Sequence, residues 1–135
     1  MMGQTLMVFA QEATMTSRIL LGALALSMAG CASTPTFSYI DGNRWYKAEL
    51  NSYSVVVLDV DGVSYTRNPV MVDPGVHTIR VQGPPAPGFR YGEDKTLTVD
   101  VKPCMRYYLK AVKKTSVEQD YTPAVDYVDP ISGCK

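Results

Sequence analysis

The stretch Ser54–Thr66, "SVVVLDVDGVSYT", holds the clearest strand-and-turn signal in the chain. Val55–Val60 is apolar or β-branched almost throughout, which favours a β-strand, and Asp61-Gly62 supplies a tight hairpin turn directly after it. The period of two along this strand predicts one shared face. That face would consist of Val56, Leu58 and Val60.

The segment that follows predicts more short strands. A strand is expected near Val70–Val72, then a turn at Asp73-Pro74-Gly75 and an alternating strand over Val76–Val81. The inward residues of this last strand should be His77, Ile79 and Val81. The next stretch, "QGPPAPGFRYGEDK", is so rich in Pro and Gly that we expect the longest irregular loop there.

Three later segments complete the pattern. "TLTVDV" and "CMRYYLKAVK" alternate between apolar and polar residues, and the second should turn Tyr107, Leu109 and Ala111 inward and Arg106, Tyr108 and Lys110 outward. "YTPAVDYVDP" predicts a last strand at a sheet edge, because Pro123 cannot donate a ladder hydrogen bond. Upstream, "RWYKAEL" is ambiguous between a first strand, which we prefer, and a short helical turn.

The composition agrees with a single domain rich in strands. The chain has 135 residues, of which 46% are hydrophobic and 19% are charged, as in globular proteins. Lys plus Arg and Asp plus Glu number 13 each, so no general positive field is present to hold nucleic acid. We therefore expect an all-β fold, a small immunoglobulin-like antiparallel β-sandwich of six or seven strands.

An export signal is expected ahead of this domain. Ile19–Ala29 is apolar or small and uncharged, which is too short to span a bilayer but suits the core of a signal peptide, and Arg18 supplies the preceding positive charge. The residues upstream of Thr14 offer no basic side chain. Translation is therefore expected to begin at Met15.

The end of this segment, Met28-Ala29-Gly30 followed by Cys31, resembles the lipobox of bacterial lipoproteins. The resemblance implies that the Cys31 thiol accepts a diacylglyceryl group and becomes the mature terminus, with residues 1–30 as signal peptide, 31–38 as lipidated tether and 39–135 as the domain. Ala32, rather than Asp, implies the outer membrane and its periplasmic face. The alternative is a buried helix in which Cys31 is an ordinary small hydrophobe.

The remaining cysteines form a candidate disulfide. With Cys31 assigned to lipid, Cys104 and Cys134 are left as a pair in an oxidising compartment, and closing this loop would stabilise the fold by roughly 3 to 4 kcal/mol. A metal or redox pair is the alternative. It is disfavoured because the chain has no CxxC and a single histidine, His77.

The central part of the chain is similar to the PEGA-type surface-layer repeat. The residues that carry the resemblance, which covers about Val55–Val101, are Val60-Asp61-Gly62, Asn68-Pro69, Pro74-Gly75, His77, Ile79, Val81 and Gly88-Phe89. The segment Cys104–Cys134 resembles that of small proteobacterial lipoproteins with no known activity. Both resemblances imply an envelope β-sandwich, PEGA-like in fold, and neither implies a reaction.

The sequence offers little for catalysis. Asp59, Asp61 and Gly62 could be a calcium loop, but a hairpin turn explains them better. His77 could be a general base, yet no nucleophile motif such as G-x-S-x-G is present, so a packed, hydrogen-bonded core histidine is the preferred interpretation. We expect no catalytic residue, no metal and no cofactor.

Binding is the remaining possibility. The candidate patch comprises Trp45, Tyr46, Phe89, Arg90 and Tyr91, which together would suit a glycan or a protein partner. The alternative, preferred because large aromatics are mostly buried, is that Trp45 and Phe89 plug the ends of the sandwich. The expected function is a noncatalytic, lipid-anchored interaction or envelope-assembly module. A glycan-binding module of the cell wall is the second hypothesis, and an envelope hydrolase the third.

Overall fold

A computed structural model of the chain describes residues 36–43 and 49–134. The predicted signal peptide, the lipidation site Cys31 and most of the predicted tether lie outside the described residues. Trp45 and Tyr46 of the candidate patch, and most of the predicted strand that contains them, also lie outside. Within the two described ranges there is no helix long and apolar enough to cross a membrane.

The described part of the chain contains nine β-strands and no helix. The strands are β1 (Ser38–Asp41), β2 (Ser52–Tyr53), β3 (Val56–Val60), β4 (Val63–Ser64), β5 (Val70–Val72), β6 (Gly75–Gln82), β7 (Asp94–Val101), β8 (Met105–Val112) and β9 (Thr122–Pro130). The all-β class is confirmed, whereas the expected number of six or seven strands is too low. The two-residue strands β2 and β4 are too short to show alternation, and β1 begins at Ser38, within the predicted tether.

The strands form two sheets, as expected of a β-sandwich. In one sheet, β8 is flanked by β9 on one side and by β1 and β2 on the other, and β1 in turn pairs with β5. The second sheet has the order β4-β3-β6-β7. The β1/β8 pair is parallel, so the expectation of a purely antiparallel sandwich is wrong at this one pair.

One hydrophobic core is formed from the buried side chains of both sheets. Its largest fully buried apolar side chains are Ile40, Val70, Ile79, Val81, Val101 and Leu109. Each such side chain contributes roughly 1.5 to 3 kcal/mol through removal of apolar surface from water. The predicted inward positions of Ile79 and Val81 are therefore confirmed.

A β-bulge in β3 overturns the predicted face of that strand. Between Val57 and Asp59 the register with β6 shifts, so that Leu58 is an extra residue. An extra residue reverses the alternation of faces beyond it. Val57 and Val60 are therefore buried while Val56 is exposed, and the prediction of one unbroken apolar face is wrong.

Strand β8 is covered on both faces, although only one covered face was expected. Its predicted inner residues Tyr107, Leu109 and Ala111 are buried. Tyr108, predicted to point to water, is also buried, because the Tyr127 ring stacks on it at 4.2 Å and the Arg106 guanidinium lies 5.1 Å from its centroid. The outward prediction for Tyr108 is therefore wrong.

The predicted disulfide and the predicted edge strand are both present. Cys104 and Cys134 are bonded, with their Cα atoms 5.5 Å apart. The bond joins the start of β8 to the turn after β9. In the described part of the chain β9 pairs with β8 alone, so the strand that contains Pro123 lies at a sheet edge as expected.

Candidate functional site

The long loop between β6 and β7 carries the exposed part of the predicted patch. This loop, Gly83–Glu93, is here called the pinned loop. Phe89 is 60% exposed and Tyr91 is 73% exposed, and Arg90 between them is exposed as well. The preferred interpretation of Phe89 as a plug of the sandwich is therefore wrong, and the structure brings three of the five patch residues together at the loop tip.

Two glycines close the neck of the pinned loop. The Gly83 amide donates to the Glu93 carbonyl oxygen at 3.2 Å. A Cβ at Gly92 would overlap the Gly83 carbonyl group, and a Cβ at Gly83 would press against the Tyr121 ring. Only glycine allows the two backbones and the ring to approach this closely.

The Tyr121 hydroxyl group hydrogen-bonds to both sides of the same neck. Its oxygen lies 2.9 Å from the carbonyl oxygens of both Val81, near the end of β6, and Glu93, the last residue of the loop, so its proton is shared between the two. Burial raises the pKa of Tyr121 to about 12. The hydroxyl therefore remains a hydrogen-bond donor at any physiological pH.

Two further side chains hold the middle of the loop. The Gln119 side chain accepts from the Ala86 amide at 2.7 Å and donates to the Tyr91 carbonyl at 2.8 Å, so it bridges both limbs. The buried Lys113 ammonium donates to the Pro84 carbonyl oxygen at 2.9 Å. The hydrogen bonds hold the loop that carries the aromatic tip in one conformation. Binding a partner therefore costs little additional conformational entropy of this loop.

The pinned loop lies at the end of the domain opposite to where the chain enters it. In the β6/β7 pair, Gln82 faces Asp94 next to the loop, and Gly75 faces Val101 at the far end. The chain enters near that far end, because the Ser38 hydroxyl donates to the carbonyl of Lys102 at 2.6 Å. Gly75 and Gln82 are the first and last of the eight residues of β6, which places about 23 Å between the two ends.

His77 is a hydrogen-bonded bridge at the margin of the core. Its Nδ1 lies 2.6 Å from Asp61 Oδ2 and its Nε2 lies 2.6 Å from the Asp73 carbonyl oxygen. Both neighbours are acceptors, so only the imidazolium satisfies both bonds. The side chain is 15% exposed and is hydrogen-bonded as expected, but it is not a member of the hydrophobic core cluster. The bonds join the turn before β4 to the turn before β6.

The predicted hairpin turn at Asp61-Gly62 is confirmed. Asp61 and Gly62 both have positive φ, 52° and 80°, which is the conformation of a type I′ turn. Asp61 Oδ1 accepts the Thr78 amide at 2.8 Å, so this carboxylate is already engaged. Across residues 36–43 and 49–134 no group of three or more His, Cys, Asp or Glu side chains is arranged to hold a metal ion.

The His77 bridge predicts a pH dependence of stability. Burial lowers the pKa of His77, but hydrogen bonds to Asp61 and to the Asp73 carbonyl outweigh this and raise the pKa above its ordinary value of 6.5. The stabilisation of the folded state by the His77 bridge is fully present below pH 6.5 and is lost as the pH rises through the folded-state pKa of His77. A proton NMR titration of the single histidine should give a pKa above 6.5.

A matched variant isolates this effect. His77→Gln should flatten the dependence of the urea midpoint on pH between 5 and 8. A histidine pKa at or below 6.5, or an unchanged pH dependence in the variant, would contradict the bridge.

The glycine neck gives a second prediction. Gly92→Ala is expected to destabilise the domain by about 1 to 3 kcal/mol, because the new methyl group must displace backbone at the neck. Hydrogen exchange should show faster exchange at the Gly83 amide. Pro85→Ala, at an exposed position of the same loop, is the control and should leave that amide protected. Equal protection in Gly92→Ala and the control would show that the neck is not closed as described.

No family model matches the chain, and no curated protein or solved structure is significantly similar to it.

Proposed function

We propose that the protein is a noncatalytic outer-membrane lipoprotein that presents the pinned loop to a partner in the envelope. The single observation that carries the proposal is the exposed aromatic tip on a preorganised base, at the end opposite to where the chain enters the domain. Phe89 and Tyr91 offer apolar rings, and Arg90 offers a cation for recognition. Exposed loops held on a rigid scaffold are where binding residues concentrate.

The proposed anchor would determine which way the pinned loop faces relative to the membrane. Acylation at Cys31 is supported by the order of Arg18, the apolar run and Met28-Ala29-Gly30-Cys31. Even when fully extended, the segment from Cys31 to Thr36 spans at most about 17 Å. A domain tethered so closely would have its chain-entering end toward the membrane, on the periplasmic face. The pinned loop would then face away from the lipid, toward other envelope components.

Crosslinking in intact cells tests the role of the loop. Partners captured by the wild-type protein should be lost in the double variant Phe89→Ala with Tyr91→Ala. Val76→Ala is the control, because it truncates a similarly exposed side chain at the other end of β6. The same crosslinked partners in the double variant and the wild type would contradict the proposal.

A glycan-binding module of the cell wall is the second candidate. It is favoured by the two exposed rings of Phe89 and Tyr91, because flat aromatic faces pack against the apolar faces of sugars. Peptidoglycan should then pull down the wild-type protein but not the double variant. Trp45→Ala extends the test to the remaining tryptophan of the predicted patch.

An envelope hydrolase ranks third. The one histidine has both ring nitrogens engaged by acceptors, which leaves neither free to act as a general base. Turnover of cell-wall substrates that disappears in His77→Ala, with the fold intact, would overturn the noncatalytic proposal.

A further inference from the structure

Two cavities lie beside the connection from β4 to β5, and both are lined by Tyr65 and Met71. The smaller, of about 440 Å³, extends to Asp61, Asp73 and His77. The larger, of about 660 Å³, is here called the tyrosine–arginine cavity. Its principal lining residues are Tyr39, Tyr65, Arg67, Asn68, Met71 and Arg106.

The tyrosine–arginine cavity has an excess of positive charge. Arg67 and Arg106 line it, and none of the described residues that line it is Asp or Glu. Arg106 is paired with the fully buried Asp41 and keeps 33% of its side chain exposed. Among the described residues no carboxylate lies within ion-pair distance of the exposed Arg67. The cavity is therefore complementary to an anion, and carboxylates are natural partners for the planar guanidinium group.

The same cavity adjoins an open strand edge. Val70 and Met71 of β5 contribute to its wall, and in the described part of the chain β5 pairs with β1 alone. Alternate residues of β5 therefore direct their amide and carbonyl groups away from β1. Met71 is 59% exposed there, and its flexible thioether can adapt to apolar side chains of a ligand.

We propose that the tyrosine–arginine cavity binds an acidic peptide segment of a partner protein in extended conformation. The peptide backbone pairs with the free edge of β5, one carboxylate contacts Arg67, and apolar side chains pack on Tyr65 and Met71. The open backbone edge favours a peptide over a sugar, because a peptide supplies the matching donors and acceptors. This site goes beyond the proposed function of the pinned loop and does not depend on it.

Fluorescence anisotropy with two short peptides tests the proposal. The probe is a labelled peptide of sequence TVEVEVT, and its counterpart TVKVKVT has the opposite charge. Detergent-extracted full-length protein should bind the acidic peptide and not the basic one. Arg67→Glu should weaken binding by about tenfold or more. Lys114→Glu makes the same charge change at an exposed position outside both proposed sites and should leave binding unchanged.

The remaining arms separate peptide pairing from other sources of affinity. The acidic peptide with proline at its central valine lacks one backbone donor and should bind at least tenfold more weakly. Equal loss in Arg67→Glu and Lys114→Glu would reveal general electrostatic attraction and overturn the site. Absence of binding, or binding of trigalacturonate in place of the peptide, would also overturn it. Loss of loop partners in the Phe89 and Tyr91 variant leaves these results unaffected.

Discussion

Replacing Arg106 by methionine is expected to lower the free energy of unfolding by about 3 kcal/mol. The side chain donates through Nε to the Asp41 carboxylate at 3.0 Å, and through Nη2 to the same oxygen. Asp41 is fully buried, so removing the cation leaves a buried charge without its counterion. Breaking such pairs costs about 3 to 5 kcal/mol, and the partial exposure of Arg106 places the expected loss at the lower end.

The measurement is the urea midpoint at pH 7 with the disulfide intact. Arg67→Met is the matched control, because Arg67 is exposed and the same substitution there should change stability by less than about 0.5 kcal/mol. Asn68 Nδ2 and the Asn43 amide also donate to Asp41, at 2.7 and 2.9 Å, and they remain in the variant. Equal midpoints for the two variants would show that the buried pair does not hold β1 to β8.

The double variant Cys104→Ser with Cys134→Ser is expected to lose about 3 to 4 kcal/mol. The two cysteines are separated by 30 residues in sequence, and the chain-entropy account gives this magnitude for a loop of that length. The bonded turn also contacts the start of the domain, since the Cys104 amide donates to the Phe37 carbonyl at 3.1 Å. Loss of the bond should therefore loosen both ends of the folded chain.

Reduction of the wild-type protein gives an independent check of the same quantity. The oxidised wild type should unfold at a higher urea concentration than the reduced wild type, and the serine variant should match the reduced form. Reductant should leave the serine variant unchanged. A difference below about 1 kcal/mol between oxidised and reduced protein would contradict a stabilising role for this bond.

The long alternating segments could be predicted from sequence because their burial follows a local period. Strands β6 and β8 have this property, and their inward residues Ile79 and Leu109 are in the core as expected. The bulge at Leu58 could not be predicted, because an extra residue leaves the composition of the strand unchanged. Strand β1 was not predicted, because its partners β5 and β8 are distant in sequence.

The residues of the candidate site also include some that could be predicted from sequence and some that could not. Phe89, Arg90 and Tyr91 could be proposed from residue type alone, since aromatic and basic side chains together are common at binding surfaces. Gln119 and Tyr121, which hold the loop, could not, because nothing local marks a residue whose hydrogen bonds reach back across the chain. The role proposed for Arg67 could not be predicted from sequence either, because it depends on the cavity that Arg67 and Arg106 line together.

Intact mass spectrometry of the protein extracted from its native membrane tests the proposed anchoring most directly. The account predicts a mature chain that begins at Cys31, carries acyl groups on that residue, and is lighter by two hydrogens through the bond between Cys104 and Cys134. An unacylated, uncleaved chain with free thiols at Cys104 and Cys134 would contradict it.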